Sequence, residues 1–204
     1  VSPTYVPVSS TSTYSLTSTP TSIDYAANLI FQGNNTVSGY TAISDGNIKL
    51  NGDNIVFNGT VNAGSIDVAA VGTTTFKNAI NVSTGPVDDL KFSAAGTVVL
   101  NSDLTGNVVT TGNNQGILTT TGVNQTITGN IGSSTSLDLN TLNIGSNTDA
   151  TNYSKTTING NVFADSTVLN NNGTTNSSEL ILASGKNITS TITTADANMG
   201  ILTL

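Results

Sequence analysis

Ile127-Thr128-Gly129-Asn130-Ile131 and Ile158-Asn159-Gly160-Asn161-Val162 are two copies of one phrase: a β-branched residue, a polar one, Gly, a polar one, and a β-branched residue again. Close variants are Val37-Ser38-Gly39-Tyr40-Thr41 and Leu104-Thr105-Gly106-Asn107-Val108, and Ile188-Thr189-Ser190-Thr191-Ile192 replaces the Gly with Ser. Apolar strand-like runs stand upstream of these phrases, among them Leu29-Ile30-Phe31, Ile55-Val56-Phe57, Val98-Val99-Leu100, Ile117-Leu118 and Leu180-Ile181-Leu182. Repetition on a scale of about 20 to 50 residues marks stacked architectures, in which each repeat buries its apolar face against its neighbours. The centres Gly106, Gly129, Gly160 and Ser190 are separated by 23, 31 and 30 residues. Such intervals suit the coils of an all-β, right-handed parallel β-helix, or β-solenoid, with loops of variable length at its corners.

Between the phrases, short runs alternate apolar and polar residues, as in Asn47-Ile48-Lys49-Leu50 and Leu137-Asp138-Leu139. Period-two alternation places every second side chain on one buried face of a strand. Turn dipeptides separate the runs: Asp45-Gly46, Asn51-Gly52, Asn58-Gly59, Asn159-Gly160 and Asn172-Gly173. Asn and Gly tolerate positive φ, so they mark tight corners. An Asn-Gly pair equally closes an antiparallel hairpin, and an antiparallel β-sandwich is therefore the alternative fold. Helix signals are nearly absent, because Gly, Asn and Thr interrupt every candidate.

Residues 1–22 differ in composition. They carry Pro3, Pro7 and Pro20 among dense Ser and Thr and no charge, the composition of an extended arm or stalk. Alternation around Tyr5, Val8, Tyr14 and Leu16 permits that arm to lie against a sheet as a strand. The expected organisation is an arm over 1–22 and a solenoid over 23–204, with irregular repeats of about 23–31 residues. About seven coils at the usual strand spacing of roughly 4.8 Å give a rod about 35 Å long. The final Asn198-Met199-Gly200-Ile201-Leu202-Thr203-Leu204 echoes Asn114-Gln115-Gly116-Ile117-Leu118-Thr119-Thr120. The expectation is therefore a segment of something longer, or a subunit whose open strand is completed by a neighbour.

Composition sets limits on function. Only 8% of the residues are charged, against about 25% in an average soluble domain. The formal net charge of −7, with five basic residues, offers no basic face for nucleic acid or for anionic lipid. No apolar run approaches the roughly 20 residues of a membrane-spanning helix, so no direct membrane insertion is expected. With no Cys there is no disulfide framework. Scarce charge with abundant Thr, Ser and Asn favours an extracellular or cell-surface setting.

No catalytic, cofactor or metal site is expected. The absence of His and Cys excludes a His-dependent Ser triad and a Cys nucleophile. A carbohydrate-active β-helix would need two carboxyl groups across a glycosidic bond. The nearest local pairs are Asp88-Asp89 and Asp45 with Asp53. Consecutive strand residues face opposite ways, and after Gly85-Pro86 the first pair reads as solvated loop. The calcium-binding nonapeptide needs Gly-Gly, which is absent. Thr-x-Thr pairs at Thr73/Thr75, Thr119/Thr121, Thr126/Thr128 and Thr191/Thr193 suggest an ice-binding array, but unequal repeat lengths are expected to spoil its register. Eight glycosylation sequons, starting at Asn34, Asn58, Asn81, Asn124, Asn152, Asn172, Asn176 and Asn187, follow from the composition. Phe31, Phe57, Phe76, Phe92 and Phe163 are expected to stack in the core.

Residues Asn113 to Gly132, NNQGILTTTGVNQTITGNIG, resemble the passenger regions of rickettsial-type surface autotransporters, the surface cell antigen and outer-membrane protein A/B group. Weaker echoes lie at Leu29–Gly39, Gly96–Val109 and Lys186–Leu204. The resemblance implies a β-helical passenger on the bacterial surface, exported through a membrane barrel, with roles in adhesion and surface coating. The partners it implies are a host-cell or surface protein or glycan. A self-assembling filament or surface-layer subunit, joined to copies of itself through open strand edges, is the alternative.

Overall fold

The computed structural model describes residues 6–8, 12–14, 28–39, 41–82, 89–146, 153–170, 177–195 and 200–204. Its strands in chain order are β1 (Val6–Val8), β2 (Ser12–Tyr14), β3 (Asn28–Val37), β4 (Thr41–Phe57), β5 (Val61–Val68), β6 (Thr73–Phe76), β7 (Ile80–Asn81), β8 (Asp89–Phe92), β9 (Thr97–Leu100) and β10 (Leu104–Thr105). They continue as β11 (Asn107–Thr110), β12 (Ile117–Thr120), β13 (Gln125–Ile127), β14 (Leu139–Ile144), β15 (Lys155–Ile158), β16 (Val162–Leu169), β17 (Glu179–Leu182), β18 (Ile188–Thr194) and β19 (Ile201–Thr203). Every pairing between these strands is parallel, which decides against hairpins and for the parallel β-solenoid.

Three ladders define three faces. Face 1 runs Val37–Phe57–Phe76–Leu100–Thr120–Ile144–Leu169–Thr194. Face 2 runs Thr41–Val61–Ile80–Leu104–Ile127–Ile158–Leu182. Face 3 runs Leu29–Ile48–Ile66–Leu90–Val108, then through isolated bridges to Ile131 and Val162, and on to Ile188. The chain visits them in the order 1, 2, 3. Long strands such as β4 bend through two corners and serve all three.

Parallel strands of one face are separated by a whole coil, so the inward residues of successive coils stack and the alternation of the sequence becomes columns. Ile48, Ile55, Ile66, Leu90, Val98, Leu104, Leu118, Leu142 and Val162 are fully buried. Phe57 stacks on Phe76 with ring centres 4.9 Å apart and meets Phe31 edge-on at 5.2 Å. Phe92 is also buried. Phe163 differs from the expectation: it falls on the outward phase of β16, between buried Val162 and Ala164, and is half-buried beside Gly132.

Coil length varies from 18 residues between Ile48 and Ile66 to 31 between Ile127 and Ile158. The variation is absorbed at corners, where all register shifts between paired strands also fall: Gln32/Asn34, Ile43/Asn47 and Phe163/Ser166. Three copies of the repeated phrase occupy one corner between faces 2 and 3. Gly129 lies on the Gly106 carbonyl and Gly160 on that of Gly129, so a Cβ at either would overlap backbone. These two glycines, like Gly52 over Gly33, are not among those with positive φ. Close approach of coils, rather than a left-handed turn, selects Gly there.

The other two copies stand elsewhere. Val37–Thr41 crosses from face 1 to face 2, and Ile188 pairs with Val162 while Ile158 pairs with Leu182. The Ser190 phrase is therefore out of phase with the Gly160 phrase, and the interval of 30 residues between them is not a coil length. Within residues 1–22, Val6–Val8 pairs with Leu29–Phe31 and Ser12–Tyr14 with Asn35–Val37, adding a rung to faces 3 and 1. The remainder of that segment lies outside the described residues, as do the turn Asn172-Gly173 and Asn198-Met199.

Candidate functional site

Face 1 is the longest uninterrupted ladder among the described residues, and its outward side carries Asn, Ser, Thr, Val and Ile. One outward column reads Asn34, Asn54, Thr73, Thr97, Ile117, Thr141, Ser166, Thr191. The second, two residues along each strand, reads Thr36, Val56, Thr75, Val99, Thr119, Asn143, Val168, Thr193. Neither column contains a charge or an aromatic ring. Charged side chains sit outward on the other faces, with Lys49, Asp67, Asp89 and Lys91 on face 3 and Lys155 and Glu179 on face 2, and at the corners, where exposed Asp53, Lys77 and Asp165 border face 1.

Those charges join neighbouring coils. Lys91 meets Asp67 at 3.8 Å, and Ser93 Oγ donates to Asp67 Oδ1 at 2.5 Å. Lys155 meets Glu179 at 3.0 Å, and Thr203 Oγ1 donates to the same carboxylate at 3.2 Å. Asp103 Oδ1 accepts the Thr126 N–H at 2.7 Å across a corner. Both ion pairs are partly exposed, and exposed pairs of this kind contribute about 0 to 1 kcal/mol.

Of the acidic residues weighed as a glycosidase pair, Asp89 opens β8 and accepts from Asn107 Nδ2 at 3.4 Å. Asp88 lies outside the described residues, and Asp53 is exposed at the corner between faces 3 and 1. Asp138 is the most buried of the described carboxylates. Its Oδ1 accepts the Asn114 N–H at 2.8 Å and its carbonyl accepts the Gln115 N–H at 3.2 Å. With its amide oriented to satisfy its neighbours, Asn113 donates to Asp138 Oδ1 at 2.8 Å and to the Thr135 carbonyl at 2.9 Å. Asp138 thus ties the corner at 111–116 to the loop at 132–138 of the next coil. An acid–base pair would need a second carboxyl facing it, and the groups bonded to Asp138 are amides of Asn113, Asn114 and Gln115.

Two polar arrays were only half legible in the sequence. At the Gly corner, the side-chain oxygens of Asn107, Asn130 and Asn161 each accept the backbone N–H of the asparagine one coil on, at 3.0, 2.8 and 2.9 Å, ending at Asn187. The Asn after each Gly was the available signal. Inside the solenoid, Thr156 Oγ1 donates to Thr120 Oγ1 at 2.8 Å, and Ser154 Oγ shares a 2.9 Å bond with Thr156 and donates to the Gly122 carbonyl at 2.9 Å. All three side chains are buried. Nothing in the local sequence separates these inward hydroxyls from the outward ones, because Thr occupies both phases of the alternation.

Of the four Thr-x-Thr pairs, Thr73/Thr75 and Thr191/Thr193 lie wholly on outward face 1. Thr119 joins them, while Thr121 turns into the corner and Thr126/Thr128 belongs to face 2 and its corner. No family model, no curated protein and no solved structure matches the chain.

Proposed function

We propose that this chain is a non-enzymatic structural and adhesive segment of a bacterial cell-surface protein, similar in kind to an autotransporter passenger. The observation that carries the reading is the outward side of face 1, an extended contact surface without charge, held in register over eight strands from β3 to β18. Such a surface binds by many weak contacts. Asp67, Asp89, Asp103, Asp138 and Glu179 each bond to an adjacent coil, which supports a structural role for these five carboxylates. The setting is extracellular, and the partner is a host-cell or surface protein or glycan. Retention of the purified chain on cells and on immobilised glycans tests this. Retention unchanged in a Thr75→Lys/Val99→Lys variant would remove face 1 from the reading, and no retention above that of an inert protein would end it.

A second reading, self-assembly by strand addition, is favoured by the last rung. Ile192 is 38% exposed, whereas Thr167 and Leu142, on which it stacks in the same inward column, are buried. The outer edges of β18 and β19 offer amide donors and acceptors to a further strand. Sedimentation of the chain, and of an Ile192→Lys/Ile201→Lys variant, tests it: assemblies lost in the variant support strand addition, and a monomer at all concentrations excludes it.

A further inference from the structure

We propose that Asp138 and the asparagines facing it form a calcium-binding site between two coils. Asp138 is only 9% exposed. Asp67 and Glu179 each have a lysine beside them, whereas among the described residues no cation pairs with Asp138. Buried charges are ordinarily paired with an opposite charge or bound to a metal ion. Asp138 lacks the first kind of partner, and its surroundings suit the second.

Those surroundings are amide and backbone carbonyl groups beside a carboxylate, the donors that calcium takes. The end of the Asn113 amide stands 2.8 Å from Asp138 Oδ1 and 2.9 Å from the Thr135 carbonyl. The end of the Asn114 amide stands 3.2 Å from Oδ1 and 3.3 Å from Oδ2 of the same carboxylate. An Asn amide carries oxygen on one branch and nitrogen on the other, so turning it over exchanges donor for acceptor without a change of shape. With nitrogen inward, the amides hydrogen-bond the carboxylate. With oxygen inward, Asn113 Oδ1, Asn114 Oδ1, both Asp138 oxygens and the Thr135 carbonyl converge. Neighbouring oxygens on an ion bound at about 2.3–2.6 Å stand about 3 Å apart, which is the separation seen here. Water supplies the rest of the roughly six to eight ligands that calcium takes.

Other metals fit less well. Softer ions find no imidazole or thiolate, because the chain has no His and no Cys. Magnesium needs a stricter octahedron and gives up its water reluctantly, and a single carboxylate offers it little. Asn113, Asn114 and Thr135 are exposed, so the ion reaches Asp138 from solvent. One charge among neutral ligands implies weak affinity, with a Kd of about 10⁻⁴–10⁻³ M, the range of extracellular modules. Asn114 and Asp138 are 24 residues apart, so no local calcium motif marks the site in the sequence. The ion fastens the corner at 111–116 to the loop at 132–138, a role independent of what face 1 contacts.

The test adds CaCl2 to the whole chain after chelation, with binding read by titration calorimetry and stability by thermal melts. The expected result is one saturable site and a melting temperature that rises with calcium, but not with NaCl of equal ionic strength. Hydrogen exchange should slow at the Asn114 and Gln115 N–H groups. Asp138→Asn keeps an oxygen for the Asn114 N–H but loses the charge, and should lose all three responses. Asp67→Asn, at another pair of coils, should keep them. Far-UV circular dichroism checks folding. If Asp138→Asn does not fold, Asn113→Leu at the exposed rim takes its place, with a loss of affinity of at least about tenfold expected. Absence of saturable binding, an equal response to MgCl2 or NaCl, or calcium binding unchanged in the substituted chain overturns the proposal.

Discussion

The side-chain oxygen of Asn130 accepts the backbone N–H of Asn161, 31 positions later in the chain, at 2.8 Å. One coil therefore receives part of its corner from the side chain of the coil before it. Replacing Asn130 with Ala removes the acceptor and leaves the N–H to solvent, at an expected cost of about 1 kcal/mol. Asn130→Asp keeps an acceptor oxygen and should lose less. Urea denaturation of the two variants measures the difference.

Gly160 and Gly185 look alike in the sequence and should respond differently to Ala. A Cβ at Gly160 would come against the backbone of Gly129 and Asn130, whereas nothing stands within 4 Å of one at Gly185. Gly160→Ala must push two coils apart and should cost about 1–3 kcal/mol or more. Gly185 has φ +76°, so Gly185→Ala should cost only the backbone strain, about 1–2 kcal/mol. The distinguishing measurement is the denaturant slope as well as the midpoint. Gly160→Ala should lower both if the solenoid opens locally, and Gly185→Ala only the midpoint.

Thr110 is buried and its hydroxyl has no partner. Thr110→Val keeps the shape and removes an unsatisfied polar group, so it should raise stability by about 1 kcal/mol. Thr156→Val should do the reverse. It deletes the bonds to Thr120 and Ser154 and leaves two buried hydroxyls short of a partner, for a loss of about 1–3 kcal/mol. A thermal melt of each variant gives opposite signs.

The two ion pairs, Lys91–Asp67 and Lys155–Glu179, are partly exposed. Lys155→Met should therefore change stability by no more than about 1 kcal/mol. Raising NaCl from about 0.1 to about 1 M should screen the exposed pairs and shift the melting temperature little. A large loss in salt would show that inter-coil charge, rather than stacking and corner hydrogen bonds, holds the coils.

Much of the fold could be read from alternation alone. Runs such as Asn47–Leu50 fix which residues face inward, and recurrence of the Gly phrase indicates stacking rather than hairpins. What could not be read is phase. Ile188–Ile192 has the composition of the phrase at Ile158–Val162 but stands on faces 3 and 1, because alternation has no memory of which corner came before. The interior hydroxyls were hidden for a related reason. Thr120 inward and Thr119 outward are adjacent and chemically identical, and only the phase of the alternation separates a core network from an outward face. The Thr-x-Thr pairs are visible along the chain, but which of them share a face is not. Register on a face is set by strand pairing, which intervals do not report.

The corners that absorb differences in coil length have a consequence for how such a chain can change by descent. Closing a longer loop costs only about 0.6 kcal/mol for each doubling of its length, and each coil touches only its neighbours. Insertions at a corner can accumulate, be lost, or vary between lineages while the grid of face 1 stays fixed. The loops at the corners are thus free to vary in length and composition while the register of the stacked strands between them is kept.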